Sequence, residues 1–283
     1  MSGRTLQQSI AAAAQRLEDA GVETPKRDAE VLLCHVLTCD RAYLIGHGDD
    51  PLADNDANAF DNVIAKREAR EPVSQILGTR EFWSLAFGVS RAVLSPRPET
   101  ETLIEAVLDH IADRSKPMRL LDLGTGTGCL LLTLLHELPA STGIGVDASN
   151  DALSLARGNA ERLALSDRAA FQSGDWADGL SGPFDIVASN PPYIETATLA
   201  SLAPEVALWE PVAALDGGSD GLDAYRRIVP QLKPILADEG IAVLEHGPGQ
   251  ADAIAALASR AGLGVVERRR DLEGRERCLI LKG

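Results

Sequence analysis

The sequence predicts an α/β protein in two parts: a small all-helical domain, then a larger domain built on a parallel sheet with helices on both faces. Three observations predict it. Up to about residue 70 apolar residues recur with a helical period, near residue 81 the period changes to two, and from residue 119 short apolar runs alternate with amphipathic stretches. The length of 283 residues fits two domains, and 45% apolar with 24% charged residues is the composition of a soluble globular chain. Disordered, collagen-like and disulfide-scaffold classes are excluded on that ground.

Taken in order, Ile10, Ala13, Ala14 and Leu17 form one helical stripe, Ala29, Leu32, Leu33, Val36 and Leu37 a second, and Phe60, Val63 and Ile64 a third. Gly21, Pro25, Gly46, Gly48 and Pro51 mark the turns between them. Trp83, Leu85, Phe87 and Val89 then alternate with Ser84, Ala86 and Gly88, followed by Ala92–Leu94, a pattern that fits a β-hairpin connector. Ser95-Pro-Arg-Pro-Glu-Thr-Glu101 reads as a stiff extended linker that starts a helix running to about Ile111. The runs Leu120–Leu123, Ile144–Val146, Ala169–Phe171, Phe184–Ser189 and Ile241–Leu244 are the expected parallel strands. Val265–Glu267 and Cys278–Leu281 flank the charged stretch Arg268–Arg277 and are expected to pair as an antiparallel hairpin, its arginines solvated.

The chain carries 27 basic and 42 acidic residues, a net charge of −15, and the first 75 residues alone hold 8 basic against 13 acidic. Neither part is a basic module, which argues against nonspecific nucleic-acid or anionic-membrane binding, since that affinity comes from clustered Lys and Arg. Cys34, Cys39, Cys129 and Cys278 form no CxxC pair and have no histidines at zinc spacing, so they read as reduced core thiols and no metal is expected. The densest apolar stretch, Cys129–Leu135, is far shorter than the roughly 18 residues that span a bilayer, and a cytoplasmic location is expected.

The first parallel strand runs into Asp122-Leu-Gly124-Thr125-Gly126-Thr127-Gly128 and then into a helix. A strand, a glycine turn and a helix start bring backbone N–H groups close to a ligand, an approach that side chains would block. The spacing is GxGxG; a dinucleotide fingerprint GxGxxG needs glycine where the chain has Cys129. S-adenosylmethionine, which has no phosphate, suits such a loop. Asp147 ends the next strand, where a carboxylate accepts from both ribose hydroxyls or, in the plainer reading, caps the following helix. Gly174-Asp175-Trp176 follows the third strand, with Trp176 placed to pack on an adenine and Asp175 to receive its amine, unless both serve core or turn.

The fourth strand ends in Asn190-Pro191-Pro192-Tyr193. Two prolines remove two N–H donors and stiffen the backbone, so the carbonyls before them can face a cleft. With the Asn190 side-chain oxygen taking one N–H, the Pro191 carbonyl the other and Tyr193 covering the plane, the turn can hold a planar NH₂ group. Here the chain resembles the class I methyltransferases that act on planar nitrogens. Residues 95–101, the segment from Glu210-Pro211 to Ala214-Leu-Asp-Gly-Gly-Ser-Asp-Gly-Leu222 and the helical N-terminal part narrow the resemblance to the protein-(glutamine-N5) methyltransferases of peptide chain release factors, the HemK family.

The resemblance implies a Rossmann-like class I methyltransferase domain at residues 96–283, a β-hairpin linker at 76–95 and a helical substrate-recognition domain at 1–75. It implies S-adenosyl-L-methionine as cofactor, contacted by Gly124, Thr125, Gly126, Thr127, Gly128, Asp147, Trp176 and Asn190. Asn190, Pro191, Pro192 and Tyr193 would hold the substrate glutamine and carry catalysis, with Arg97 and Glu99 as hinge or packing residues. Ser95 departs from the family's usual aliphatic residue before Pro-Arg-Pro. The expected partner is a release factor, with neither nucleic acid nor membrane. Two rivals are an adenine-N6 methyltransferase of DNA or RNA, which the missing basic surface disfavours, and a non-catalytic cofactor-binding scaffold, which the intact motifs disfavour.

Overall fold

The computed structural model describes residues 4–283, which divide into two compact units. The first comprises the chain up to Gly78 together with Ala203–Trp209. Its N-terminal stretch holds α1 (Leu6–Asp19), α2 (Pro25–Leu37), α3 (Arg41–Gly46), α4 (Asp54–Glu68) and α5 (Val73–Leu77). Helix α1 starts with a capping box, Gln8 N–H donating to Thr5 Oγ1 at 3.2 Å and Thr5 N–H to Gln8 Oε1 at 3.1 Å. Leu17, Leu32, Leu33, Phe60 and Ile64 from the three expected stripes meet in one buried core. Arg67, buried, bonds Asp28 at 2.8 Å and Glu205 at 2.8 Å, and Arg70 grips the same Glu205 at 2.7 Å. Glu205 belongs to a short segment that leaves the second unit after Leu202 and re-enters it at Glu210. The helical period of residues 5–70 carries no sign of this excursion.

The second unit opens with a two-stranded hairpin, β1 (Thr79–Phe82) and β2 (Leu85–Gly88), paired Phe82 to Leu85. The expected hairpin forms, but its turn does not lie outside the alternating run: Trp83 and Ser84 make it, both left-handed at φ 53° and 59°, as a two-residue hairpin loop requires. Nor is the hairpin a free linker, because Phe82 and Phe87, in edge-to-face contact at 6.1 Å, are buried in the core beneath α6 (Glu101–His110).

The remaining elements are β3 (Arg119–Leu123), α7 (Cys129–Glu137), β4 (Thr142–Asp147), α8 (Asn150–Arg162), β5 (Ala169–Ser173), β6 (Phe184–Ser189), the short α9 (Pro204–Ala207, in the first unit), α10 (Asp223–Ile235), β7 (Leu236–Glu245), α11 (Ala251–Arg260), β8 (Gly264–Arg270) and β9 (Glu276–Lys282). The sheet order is β5-β4-β3-β6-β7-β9-β8, parallel through β7 and antiparallel in the tail hairpin. Alternate residues feed opposite layers: Leu120, Ile186, Val243 and Ile280 pack with Leu103, Val107 and Leu131, whereas Leu121, Val187, Ala242 and Leu279 pack with Ile228, Leu232 and Ile254. Both faces of the central strands are therefore dry, which explains their unbroken apolar runs. Strand order reverses between β3 and β6, and the crevice at their carboxyl ends is where such sheets bind ligands. Among the described residues no helix is long and apolar enough to cross a membrane.

Candidate active site

The glycine turn after β3 is tied down before it reaches any ligand. The N–H groups of Gly124 and Thr125 both donate to Val146 O at 2.9 Å, and Gly124 and Gly126 hold φ of 72° and 56°, conformations costly to a residue with a Cβ. Beneath the turn Asp122 is 1% exposed; it accepts from Thr125 Oγ1 at 2.6 Å, and burial pushes its carboxyl up to about 7. Asp147 accepts from Gly126 N–H at 2.9 Å with one oxygen and from Ser149 N–H at 2.9 Å with the other. Helix α8 is capped by Ser149, whose Oγ accepts from Ala152 N–H, so the capping reading of Asp147 does not apply. Each Asp147 oxygen keeps a further lone pair for a ligand hydroxyl. Trp176 lies over the turn; a Cβ on Gly124 would stand 3.3 Å from its ring. Asp175, beside it, is ion-paired with Arg227.

These groups surround a cavity of about 370 Å³. Of the expected site residues, Gly124, Thr125, Gly126, Thr127, Asp147, Trp176, Asn190 and Pro192 line it. Gly128, Pro191 and Tyr193 are not among its lining residues. Gly128 is the left-handed N-cap of α7, and a Cβ there would crowd Leu132 at 3.1 Å and Ala156 at 3.3 Å, so its lack of a side chain serves packing. Pro191 is buried. The Tyr193 ring is directed to Gly247 and its hydroxyl to Glu245 Oε1 at 3.4 Å.

Asn190 donates from Nδ2 to Thr100 Oγ1 at 3.2 Å, which turns Oδ1 away as the acceptor end of the amide. Thr100 belongs to the Pro-Glu-Thr turn before α6, so that motif acts as a clamp on the acceptor turn. Tyr193 is held from behind: Gln250 Nε2 donates to its carbonyl at 2.9 Å, and a Cβ on Gly221 would come within 2.3 Å of that oxygen. The Gly217-Gly-Ser-Asp-Gly221 stretch thus packs directly against the acceptor turn. Arg97, expected as a hinge or packing residue, lines the cavity and is fixed by buried Glu210 at 2.5 Å. Burial raises the Glu210 carboxyl even against Arg97.

Glu245, at the end of β7, escaped sequence reasoning altogether. It is 1% exposed, burial pushes its carboxyl up to about 7, and Oε2 has no hydrogen-bond partner among the described residues. Its one sequence signal, an acid closing an apolar run, matched Asp147, but nothing in the spacing linked it to Tyr193. The arginine hairpin also needs correction. Arg277 is buried and bonds Asp271 at 3.1 Å, while Arg268 pairs Asp252 and Arg269 pairs Asp109; this is an ion-paired scaffold with a buried member, in place of a wholly solvated patch. Among the described residues no group of three or more His, Cys, Asp or Glu is placed to hold a metal.

Comparison with known proteins joins the fold to the site. A family model described as the PrmC N-terminal domain matches residues 8–78, and one described as a methyltransferase domain matches residues 114–234. A release factor glutamine methyltransferase of Rhodospirillum rubrum is 46% identical over 269 residues, 95% of this chain and 82% of its own. That of Cereibacter sphaeroides is 46% identical over 272 residues, 96% of each chain, and that of Moorella thermoacetica 40% identical over 278 residues, 98% of each. Among solved structures, a methyltransferase from Pyrococcus furiosus has a TM-score of 0.52 at 16% identity, covering 78% of this chain and 95% of that one. The hMettl16 catalytic domain in complex with a MAT2A 3'UTR hairpin has a TM-score of 0.57 at 21% identity, covering 78% and 81%. Both likenesses show the fold alone, a class I methyltransferase sheet. Identity of 40–46% over nearly the whole length, with both family models in their places, settles the relationship: the chain belongs to the release factor glutamine methyltransferases.

Proposed function

We propose that this enzyme methylates the side-chain amide nitrogen of the glutamine in the Gly-Gly-Gln loop of class 1 release factors, with S-adenosyl-L-methionine as methyl donor, in the cytoplasm. The observation that carries the reading is one cavity lined both by the glycine turn with Asp147 and by Asn190 and Pro192 of the acceptor turn. The residues present fit that cofactor: Gly124 and Gly126 leave room for close approach, Asp147 retains acceptor sites for two hydroxyls, and Trp176 offers an aromatic face. Bound there, S-adenosyl-L-methionine supplies an electrophilic methyl group on a sulfonium.

The chain's own part is positioning. An amide nitrogen is a poor nucleophile because its lone pair is shared with the carbonyl. Asn190 Oδ1, oriented by the Thr100 bond, accepts one N–H of the glutamine and the Pro191 carbonyl accepts the other, which fixes the nitrogen and favours partial pyramidalisation. Tyr193, braced by Glu245 and Gln250, keeps the turn rigid beside the substrate. Holding reactants in line removes an entropic cost whose upper scale is about 7–11 kcal/mol. No strong base is required, since the N-methylated amide sheds its extra proton readily to water.

The helical unit is the proposed recognition element for the release factor, whose contact is protein to protein with no nucleic acid. Helix α3 presents Ile45, 77% exposed, and Tyr43, stacked on His47, as apolar surface on an otherwise acidic unit. The test is peptide mass spectrometry of a release factor incubated with the enzyme and S-adenosyl-L-methionine, beside an adenine-containing DNA oligonucleotide. A single methyl on the loop glutamine with unmodified DNA is expected; methylated adenine with an unmodified release factor overturns the reading.

A further inference from the structure

Two of the four cysteines occupy a position whose geometry the methyl transfer does not use. Helix α2 ends on Thr38, left-handed at φ 52° and ψ 43°. Cys39 N–H donates to Cys34 O at 3.0 Å, and Thr38 N–H to His35 O at 3.3 Å. These nested bonds are those of a Schellman cap, a motif that frequently brings the side chains of its first and last residues to the same side. In this chain both of those residues are cysteines. The 3.0 Å bond between their backbones keeps the two Cα atoms within about 7 Å of each other by standard bond lengths. A disulfide closes over a Cα separation of about 4.4–6.8 Å.

Both side chains belong to the same cap and pack on the same core. Burial, with Cys39 as the nearest titrating neighbour, pushes the Cys34 thiol up to about 11. Both residues are half-buried at the edge of the helical unit's core, so the sulfurs are packed yet open to a small reagent. Next in the chain, Asp40 caps α3 by accepting from Tyr43 N–H at 2.8 Å, so the sulfur pair sits at the base of the helix that bears Tyr43 and Ile45.

We propose that Cys34 and Cys39 form a reversible intramolecular disulfide, closed by exchange with a low-molecular-weight disulfide such as oxidised glutathione. One protein thiolate attacks a sulfur of the reagent, forming a mixed disulfide and expelling one thiol. The second protein thiolate then attacks the first protein sulfur and expels the other thiol. The protein loses two electrons and two protons, and one molecule of reagent disulfide becomes two thiols. The backbone bonds that bring the sulfurs together exist before oxidation, so closure asks little rearrangement of α2.

The test uses the full chain, equilibrated with excess oxidised glutathione, quenched with a thiol alkylator in denaturant so that buried thiols also react, and digested with trypsin. Arg27 and Arg41 flank a peptide, residues 28–41, that contains both cysteines and no other. It is expected to appear lighter by two hydrogens and unalkylated, and to revert on treatment with dithiothreitol. Peptides bearing Cys129 and Cys278, which lie in the second unit, are expected to stay thiols and be alkylated. In Cys34→Ser or Cys39→Ser the remaining thiol should carry a single glutathione. A wild-type 28–41 peptide that carries separate glutathione adducts, or is alkylated at both sulfurs under the same conditions, overturns the proposal.

Discussion

The hydroxyl of Tyr193 lies 3.4 Å from Oε1 of Glu245, which ties the last residue of the acceptor turn to the carboxyl end of β7. The acid is buried and titrates near 7, against an ordinary carboxylate value near 4.5. Arg277 and Thr100 favour its charged form and Glu99 opposes it, but burial outweighs them. In the unfolded chain the group loses its proton at lower pH than in the native state. Its contribution to stability is therefore complete below about pH 4.5 and is lost as pH rises through about 7. Glu245→Gln cannot ionise and escapes that loss. Urea unfolding from about pH 5 to about pH 8 should show the wild type losing stability relative to the variant; parallel profiles would contradict the buried, protonated carboxyl.

Asp147 holds the glycine turn through Gly126 and the start of α8 through Ser149, while facing the cavity. Replacing it with alanine removes charge-assisted acceptors on both sides. Calorimetric titration with S-adenosyl-L-methionine should show affinity reduced by about 10- to 100-fold, with Asp147→Asn between that and wild type. Unchanged affinity in Asp147→Ala would remove the residue from the cofactor site.

Glu205 is held by Arg67 and Arg70 within the helical unit. Burial works against its charge, yet the two guanidiniums bring its carboxyl down to about 2. Its stabilising contribution is present above the unfolded value near 4.5 and fades as pH falls toward about 2. Glu205→Gln should cost about 1–3 kcal/mol at neutral pH, because Arg67 stays buried with one partner fewer, and the difference should narrow on acidification. Thermal unfolding of both proteins at pH 7 and about pH 4 reads it directly.

What the sequence disclosed and what it hid follow one physical line. The parallel strands, the glycine turn, Asp147 and the Asn190–Tyr193 turn are written in local spacing, and the structure brings residues 124–127, Asp147, Asn190 and Pro192 of them to one cavity. The hairpin shows in the alternation, but the place of its turn at Trp83 and Ser84 does not, because an alternating pattern runs straight through a tight turn when the turn residues are not glycine or asparagine. Thr100, Glu210 and Glu245 were illegible because each acts on a partner 90, 113 or 52 positions away, through contacts that exist only after folding. The excursion of Ala203–Trp209 into the helical unit is likewise fixed by Glu205 with Arg67 and Arg70, and by Trp209 Nε1 donating to Ala69 O at 3.2 Å. No periodicity records such a pairing.

The central claim is that geometry at the acceptor turn, and no strong base, drives the transfer. Single-turnover methylation of a release factor by Asn190→Ala, at saturating S-adenosyl-L-methionine and with cofactor affinity measured alongside, tests it most directly. A fall in rate of at least about 100-fold, with cofactor affinity altered less than about tenfold, is the expected result for a lost positioning contact. Near-normal turnover in a variant that still binds cofactor would contradict it.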